Sequence, residues 1–206
     1  MLSLPDIFAS HMVLQRRTVI PVWGCAPDGS TITVQLGEQC VHAVAAGGRW
    51  MVHLAPMEAA TGLTMSIRCG DESLQFHDVA IGEVWIAGGQ SNMAMTMRDD
   101  ADYASVKANL DSAQLRFYRC PAPDVMGFHF RPQPASDEGI WMSCSAETLA
   151  QFSAVGYYFQ SALAEALHIP AAIVACNVSG TRSAAWADLD MLRRTLEVHE
   201  VVAEWC

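Results

Sequence analysis

Gly82-Glu83-Val84-Trp85-Ile86-Ala87-Gly88-Gly89-Gln90-Ser91-Asn92-Met93 is the stretch that decides how this chain is read. Together with the preceding residues from Val79, its first half is an almost continuous apolar run, the pattern of a parallel strand covered on both faces. The run ends in two glycines, which permit a tight turn. A serine follows at the predicted start of a helix. In that position the turn lifts Oγ above the carboxyl edge of a sheet, and nearby backbone N–H groups are available to a developing oxyanion. A serine there can also be a plain helix N-cap, so the local pattern supports both a nucleophile and a cap. The Gly-x-Ser-x-Gly elbow of α/β-hydrolases is not met, because position 93 is methionine.

Two further apolar runs, Leu115 to Tyr118 and Ala171 to Cys176, continue the strand grammar towards the C-terminus. Between them, residues 150–167 carry Phe152, Val155, Phe159, Leu163 and Leu167 at helical spacing, and Pro170 lies just beyond. The three segments predict a βαβ crossover with the helix stopped by proline. Leu189 to Trp205 is again helical by pattern. The stretch from Pro121 to Ser143, with prolines at 121, 123, 132 and 134, predicts a long surface loop.

Towards the N-terminus the pattern changes to short β-branched runs separated by turn residues. Strands are predicted at Met12–Gln15, Val19–Trp23, Thr31–Leu36, Cys40–Ala45, Arg49–Leu54 and Leu63–Arg68, with Pro27-Asp28-Gly29, Gly47-Gly48 and Thr61-Gly62 as turns. Alternation is clearest in Thr31 to Leu36, whose polar and apolar residues point to opposite faces. The expected architecture is an N-terminal all-β sandwich over residues 1–79, followed by an incomplete parallel α/β domain over residues 80–206.

Composition sets the outer limits. A chain of 206 residues with 51% hydrophobic and 17% charged residues has enough apolar material for a core and room for one large or two small domains. Its net charge of −10 has the wrong sign for a phosphate-backbone binder, so no nucleic-acid partner is expected. No apolar run approaches the roughly 18 to 20 residues of a membrane-spanning helix, so no membrane partner is expected either. The first residues lack a basic and then apolar leader pattern, which gives a cytoplasmic expectation. Seven scattered cysteines without a Cys-x-x-Cys pair read as reduced, mostly core residues and not as a zinc site. No metal and no cofactor are expected.

Several blocks occur in a specific order: Leu4-Pro5; His11-Met12-Val13-Leu14-Gln15-Arg16; Pro21-Val22-Trp23-Gly24; Gly82-Glu83-Val84-Trp85; and Gly89-Gln90-Ser91-Asn92-Met93. Phe152-Ser153-Ala154-Val155-Gly156-Tyr157-Tyr158-Phe159, Cys176-Asn177-Val178-Ser179-Gly180-Thr181 and Ala185-Trp186 follow. This set resembles the sialate O-acetylesterase family of SGNH-type (GDSL-like) carbohydrate esterases, over most of the chain. The resemblance implies a β-sandwich followed by a flavodoxin-like α/β domain that removes O-acetyl groups from sialic acid or related sugars. It also implies that Ser91 is the nucleophile, with the N–H groups of Ser91 and Gly180 as oxyanion donors. Gln90, Asn92, Asn177 and Arg182 fall in the same blocks as oxyanion or substrate contacts. Arg182 beside Gly180 suits a substrate carboxylate, which arginine binds as a fork.

This chain departs from the family pattern at Ala94, where an acidic residue is usual, and at Ser179-Gly180, where a glycine pair is usual. The family's later Trp-x-Gln-Gly-Glu and Asp-x-x-His blocks, which supply a third donor and the general base, do not occur. Of the seven histidines, His11, His42, His53 and His77 belong to the sandwich region, and His199 lies about ten residues down the last predicted helix. His168 sits at the opposite end of a strand from Ser91, roughly 15 to 20 Å away at strand rise. Only His129, in the long loop, is topologically able to approach as a base. The expectation is a nucleophile without its base: the N-terminal portion of an esterase, with little turnover alone, the base coming from a missing C-terminal segment or a second polypeptide. The alternative is a non-catalytic carbohydrate-binding protein derived from the esterase.

Overall fold

Period-two alternation builds the first half of the molecule. In this computed structural model, which describes residues 1–110, 114–120 and 140–194, strands β1 (Val13–Gln15), β2 (Ile20–Cys25), β3 (Thr31–Leu36), β4 (Gln39–Val44), β5 (Arg49–Leu54) and β6 (Ala60–Cys69) follow one another. Ile32, Val34 and Leu36 are fully buried while Thr31 and Gln35 face solvent, as the alternation in β3 requires. β2 and β5 pair antiparallel as a two-stranded sheet. Their inward residues, including Val22, Val52 and Leu54, share one buried cluster with Ile32, Val34, Met65 and Ile67 of β3 and β6.

β7 (Glu72–Gly89) joins everything. It is 18 residues long, against the nine of the predicted run. Its first half is antiparallel to β6, and residues 80–82 pair parallel with β1. Its second half pairs parallel with β10 (Ala171–Asn177), which pairs parallel with β8 (Leu115–Arg119). β9 (Ile140–Ser143) closes that edge antiparallel to β8, so the order is β4-β3-β6-β7-β10-β8-β9. β9 lies within the stretch expected to be loop. The rest of that prediction, residues 121–139 with His129, lies outside the described residues.

Among the described residues four α-helices complete the fold: α1 (Ser91–Ala94), α2 (Tyr103–Ala108), α3 (Ala154–Leu167) and α4 (Leu189–Arg194). α3 provides the expected crossover between β8 and β10. Ser153 caps it by accepting from the Gly156 N–H at 3.1 Å, and His168 ends it in a left-handed conformation (φ 55°) two residues before Pro170. The apolar spacing of α3 does not coincide with its buried face. α3 buries Gly156, Tyr157 and Gln160, while Val155, Phe159 and Leu167 remain 40 to 46% exposed. Glycine 156 explains the choice: a side chain there would press on Ile173 of β10, so the helix sits close on its small-residue face. Of the last predicted helix, Leu189–Arg194 is observed and residues 195–206, including His199, lie outside the described residues.

The two halves are fastened by polar groups as well as by β7. Arg116 of β8, 6% exposed, donates to the His11 carbonyl at 3.0 Å and to Asp78 Oδ1 at 3.1 Å. The Trp141 indole of β9 donates to the Ile7 carbonyl at 2.8 Å. Among the described residues no helix is long and apolar enough to cross a membrane.

Candidate active site

Ser91 sits where β7 leaves the carboxyl edge of the parallel sheet. Gly89 makes the turn with φ 135°, a backbone conformation that side-chain-bearing residues rarely adopt. Gln90 occupies the N-cap position with no side-chain capping bond, and Ser91 is the first residue of α1. The cap reading of Ser91 is therefore not what is observed. Its side chain is exposed at the rim and makes no hydrogen bond with any described residue. α1 is a single turn of four residues, so a summed helix dipole contributes little. What the turn offers is its individual unpaired N–H groups.

Four backbone hydrogen bonds and one side-chain contact pin the serine turn. The Ala94 N–H donates to Gln90 O and the Met95 N–H to Ser91 O, each at 2.9 Å, which closes the turn. The Ala154 N–H then donates to Met95 O at 2.9 Å and the Met97 N–H to Phe152 O at 2.8 Å. Met93 packs against the cluster under α3, with its sulfur 3.6 Å from the Ser153 hydroxyl. The Gln90–Met93 and Phe152–Ala154 blocks, separated by some sixty residues, are thus one unit in space.

β10 delivers the second loop. Asn177 is in register with Gly89, its side-chain amide donates to Ala87 O at 3.2 Å, and the Val178 N–H donates to Gly89 O at 3.1 Å. This docks Val178-Ser179-Gly180-Thr181 beside the serine turn. Gly180 is exposed with φ 79°, and a side chain built there would meet nothing within 4 Å. Thr181 holds the loop by donating to Val178 O at 2.8 Å and accepting from the Trp186 indole at 2.9 Å. Gln90 and Asn92 are exposed on the serine turn, and Arg182 is exposed on the facing loop with no ion pair among the described residues. The structure brings Ser91, Gln90, Asn92, Asn177, Gly180 and Arg182 to one sheet edge. Asn177 is committed in part to β7 and acts there as a strand fastener, a role its sequence position did not reveal.

No described histidine reaches this edge. His11 bonds Asp78 at 2.8 Å and His42 bonds Thr33 at 2.9 Å, both in the N-terminal half. His168 lies before the start of β10, six residues of strand, or roughly 20 Å, from Asn177. Nearby ionisable groups serve structure. The Tyr158 hydroxyl, 2.9 Å from Asp100, is pushed up to about 12 by burial and that carboxylate, and so stays protonated as a donor. Among the described residues no three His, Cys, Asp or Glu side chains converge as metal ligands.

Trp85 and Ile86, in the run expected to be covered on both faces, are 47% and 74% exposed. The reason is topological: residues 83–89 of β7 pair with β10 on one side, and among the described residues no strand pairs with them on the other. Trp85 meets Phe159 edge-on at 5.2 Å, which places the open strand edge next to the exposed apolar stripe of α3.

Comparison with known proteins supplies relatives. No family model matches the chain. Sialate O-acetylesterases of Homo sapiens and Pongo abelii are each 28% identical over 87% of this chain and 38% of theirs. That of Rattus norvegicus is 26% identical over 89% and 37%. The chain therefore spans less than two fifths of the length of these relatives. A crystal structure of a carbohydrate acetylesterase from Xanthomonas citri superposes with a TM-score of 0.84 at 31% identity, covering 93% of this chain and 43% of that one. The mixed parallel and antiparallel sheet with few helices fits the SGNH-like carbohydrate esterase fold.

Proposed function

We propose that this chain, which belongs to the sialate O-acetylesterase family of carbohydrate esterases, carries the nucleophile half of an O-acetyl sugar esterase site, with Ser91 as nucleophile. The observation that carries this reading is the docking of two loops at one edge, Gly89–Ser91 and Val178–Gly180, by the Val178–Gly89 bond. Ser91 Oγ attacks the acetyl carbonyl and passes its proton to a base. The N–H groups of Ser91 and Gly180 hold the oxyanion, which needs donors at about 2.7 to 3.1 Å. The C–O bond to the sugar then breaks, the sugar oxygen takes the proton, and water releases acetate from the acyl-serine. Gln90, Asn92 and Arg182 line the approach. Arg182 suits an acidic sugar such as sialic acid, and a neutral acetylated glycan would leave it unused.

The base comes from polypeptide other than the residues described: the segment carrying His129, further chain or a second subunit. Three features support this: no described histidine approaches Ser91, the 83–89 edge of β7 has no second strand, and α3 presents Val155, Phe159 and Leu167 outward. Unpaired strand edges and contiguous exposed apolar side chains are surfaces that partners cover. In the same reading residues 1–79 form a small all-β sandwich and residues 80–206 part of the esterase domain, with β7 running through both. The absence of a described base equally motivates a second reading, a sugar-binding protein without turnover.

Supplying the base from solution separates the two. With p-nitrophenyl acetate alone the chain is expected to show little turnover; with imidazole added, mass spectrometry should find one acetyl group on the peptide containing Ser91. Acetyl uptake spread evenly over other serines, or unchanged in Ser91→Ala, would sink the nucleophile assignment.

A further inference from the structure

Cys120 and Cys176 stand side by side at the carboxyl ends of β8 and β10, next to the loop that carries Gly180. Ala175 is in register with Arg119, so the next residue on each parallel strand faces its counterpart. The Cys120 N–H donates to Ala175 O at 3.2 Å, which carries the pairing to the cysteines themselves. Neighbouring residues on adjacent strands point to the same face, here that of Val174 and Tyr118, opposite α3. Both cysteines are only partly buried, and the Cys176 thiol is close enough to raise the pKa of Cys120.

We propose that Cys120 and Cys176 form a redox-responsive thiol pair that closes to a cross-strand disulfide under peroxide. Adjacent strands lie about 4.7 to 4.9 Å apart, within the roughly 4.4 to 6.8 Å Cα separation that a disulfide accepts. One thiolate attacks hydrogen peroxide, breaking the O–O bond to give a sulfenic acid and releasing hydroxide, which takes up a proton as water. The second thiol displaces the sulfenic oxygen as another water, forming the S–S bond. Two thiols are oxidised and one peroxide is reduced to two waters. Burial, with Cys176 alongside, pushes the Cys120 thiol up to about 11, which disfavours its thiolate and suits it to the resolving role. The bond would tie β8 to β10 immediately before Asn177 and Val178, the residues that fasten the Gly180 loop to the serine strand.

The test is peptide mapping without reduction after limited hydrogen peroxide, on the chain with the exposed Cys25 and Cys40 replaced by serine to suppress intermolecular pairing. A 120–176 linked peptide should become the main product for these two cysteines and be lost with dithiothreitol. In Cys120→Ser, Cys176 should instead accumulate as sulfinic acid or, with glutathione present, as a mixed disulfide. Cys120→Ala serves if the serine variant folds poorly. Recovery of both cysteines as free thiols, or as separate over-oxidised residues without the linked peptide, overturns the proposal, and either result is independent of whether Ser91 is a nucleophile.

Discussion

Gly82→Ala tests the strand junction on which the site stands. Gly82 is where β1, β7 and β10 meet: its carbonyl accepts from the Arg16 N–H at 2.9 Å, and the next N–H, that of Glu83, donates to Pro170 O at 2.9 Å. A Cβ at residue 82 would overlap the Pro170 carbonyl oxygen and lie 2.8 Å from its carbon and 2.9 Å from the proline Cβ. These are backbone and ring atoms, which cannot swing aside as a flexible side chain would. Relieving the overlap separates β7 from the entry to β10 and forfeits the Glu83–Pro170 hydrogen bond, worth about 1 kcal/mol. Overpacking strain adds about 1 to 3 kcal/mol. The stiffer unfolded chain returns about 0.4 to 1 kcal/mol. The expected net loss is about 1 to 3.5 kcal/mol, which for a urea slope near 2 kcal/mol/M moves the unfolding midpoint down by about 0.5 to 1.8 M. Gly88→Ala is the control: its Cβ would meet only Cys176 O at 3.8 Å, and its backbone is not left-handed. That variant should stay within about 0.5 kcal/mol of the parent. Equal midpoints for both variants, measured by urea titration of far-UV circular dichroism, would refute the packing argument.

Acid sensitivity should reside in two carboxylates. The Arg116 hydrogen bond holds Asp78 below its usual range and the Arg16 hydrogen bond does the same for Glu83, so each contributes stability above its unfolded pKa that is lost as pH falls through the lower, folded value. Asp78→Asn, which tolerates the left-handed φ of 53°, should cost about 1 kcal/mol at pH 7, a figure kept small by the 40% exposure of the carboxylate, and should flatten the decline in urea midpoint below about pH 4. An unchanged acid limb would count against the ion-pair account. Gln160 is fully buried with neither amide atom hydrogen-bonded, so Gln160→Met should raise stability by about 1 kcal/mol or more, whereas a loss would mean the amide is satisfied by water. Met93→Ala removes the sulfur that anchors the serine turn on the start of α3 and should cost about 2 kcal/mol while reducing the imidazole-dependent acetylation of Ser91, checked by the same titration and by mass spectrometry.

How much of this was legible depended on whether one face or two had to be specified. β3 and β5 were read with their observed bounds because half of each strand faces the core and half faces water. The first half of β7 was missed because Glu72, Ser73, Gln75, His77 and Asp78 interrupt its apolar residues and leave one face polar. β9 was missed because only four residues emerge from a proline-rich stretch. The outward position of the apolar stripe of α3 was not legible, because amphipathicity reports an apolar face without saying which neighbour covers it. In the site, Gly89 and Gly180 were legible as glycines in motifs, and their positive φ values give the physical reason. The fastening roles of Asn177, Met93 and Ser153 were not legible, since each depends on a contact between segments distant in sequence.

Those contacts explain why the sequence blocks travel together. Arg16 bonds Glu83 at 2.7 Å and Gln15 accepts from the Val84 N–H at 2.8 Å, tying the second block to the fourth. A side chain at Gly24 would collide with the Ser3 carbonyl and crowd Leu4 at 3.2 Å, tying the third to the first. Met93 meets Ser153, and Val178 meets Gly89, tying the serine block to the two that follow it. Most of the recognisable residues therefore build the frame that places Ser91 and Gly180, and only a few remain free to meet a substrate. Placement and activation are separate quantities in such a frame. Strand register and loop contacts fix where Oγ and the oxyanion donors stand, while a proton acceptor supplies the deprotonation that Oγ needs in order to attack. Substitutions in the frame should thus lower the yield of correctly folded site, and the total acetylation with it, while each folded site still responds to added imidazole; substitutions at Ser91 should abolish the response in a protein of unchanged stability.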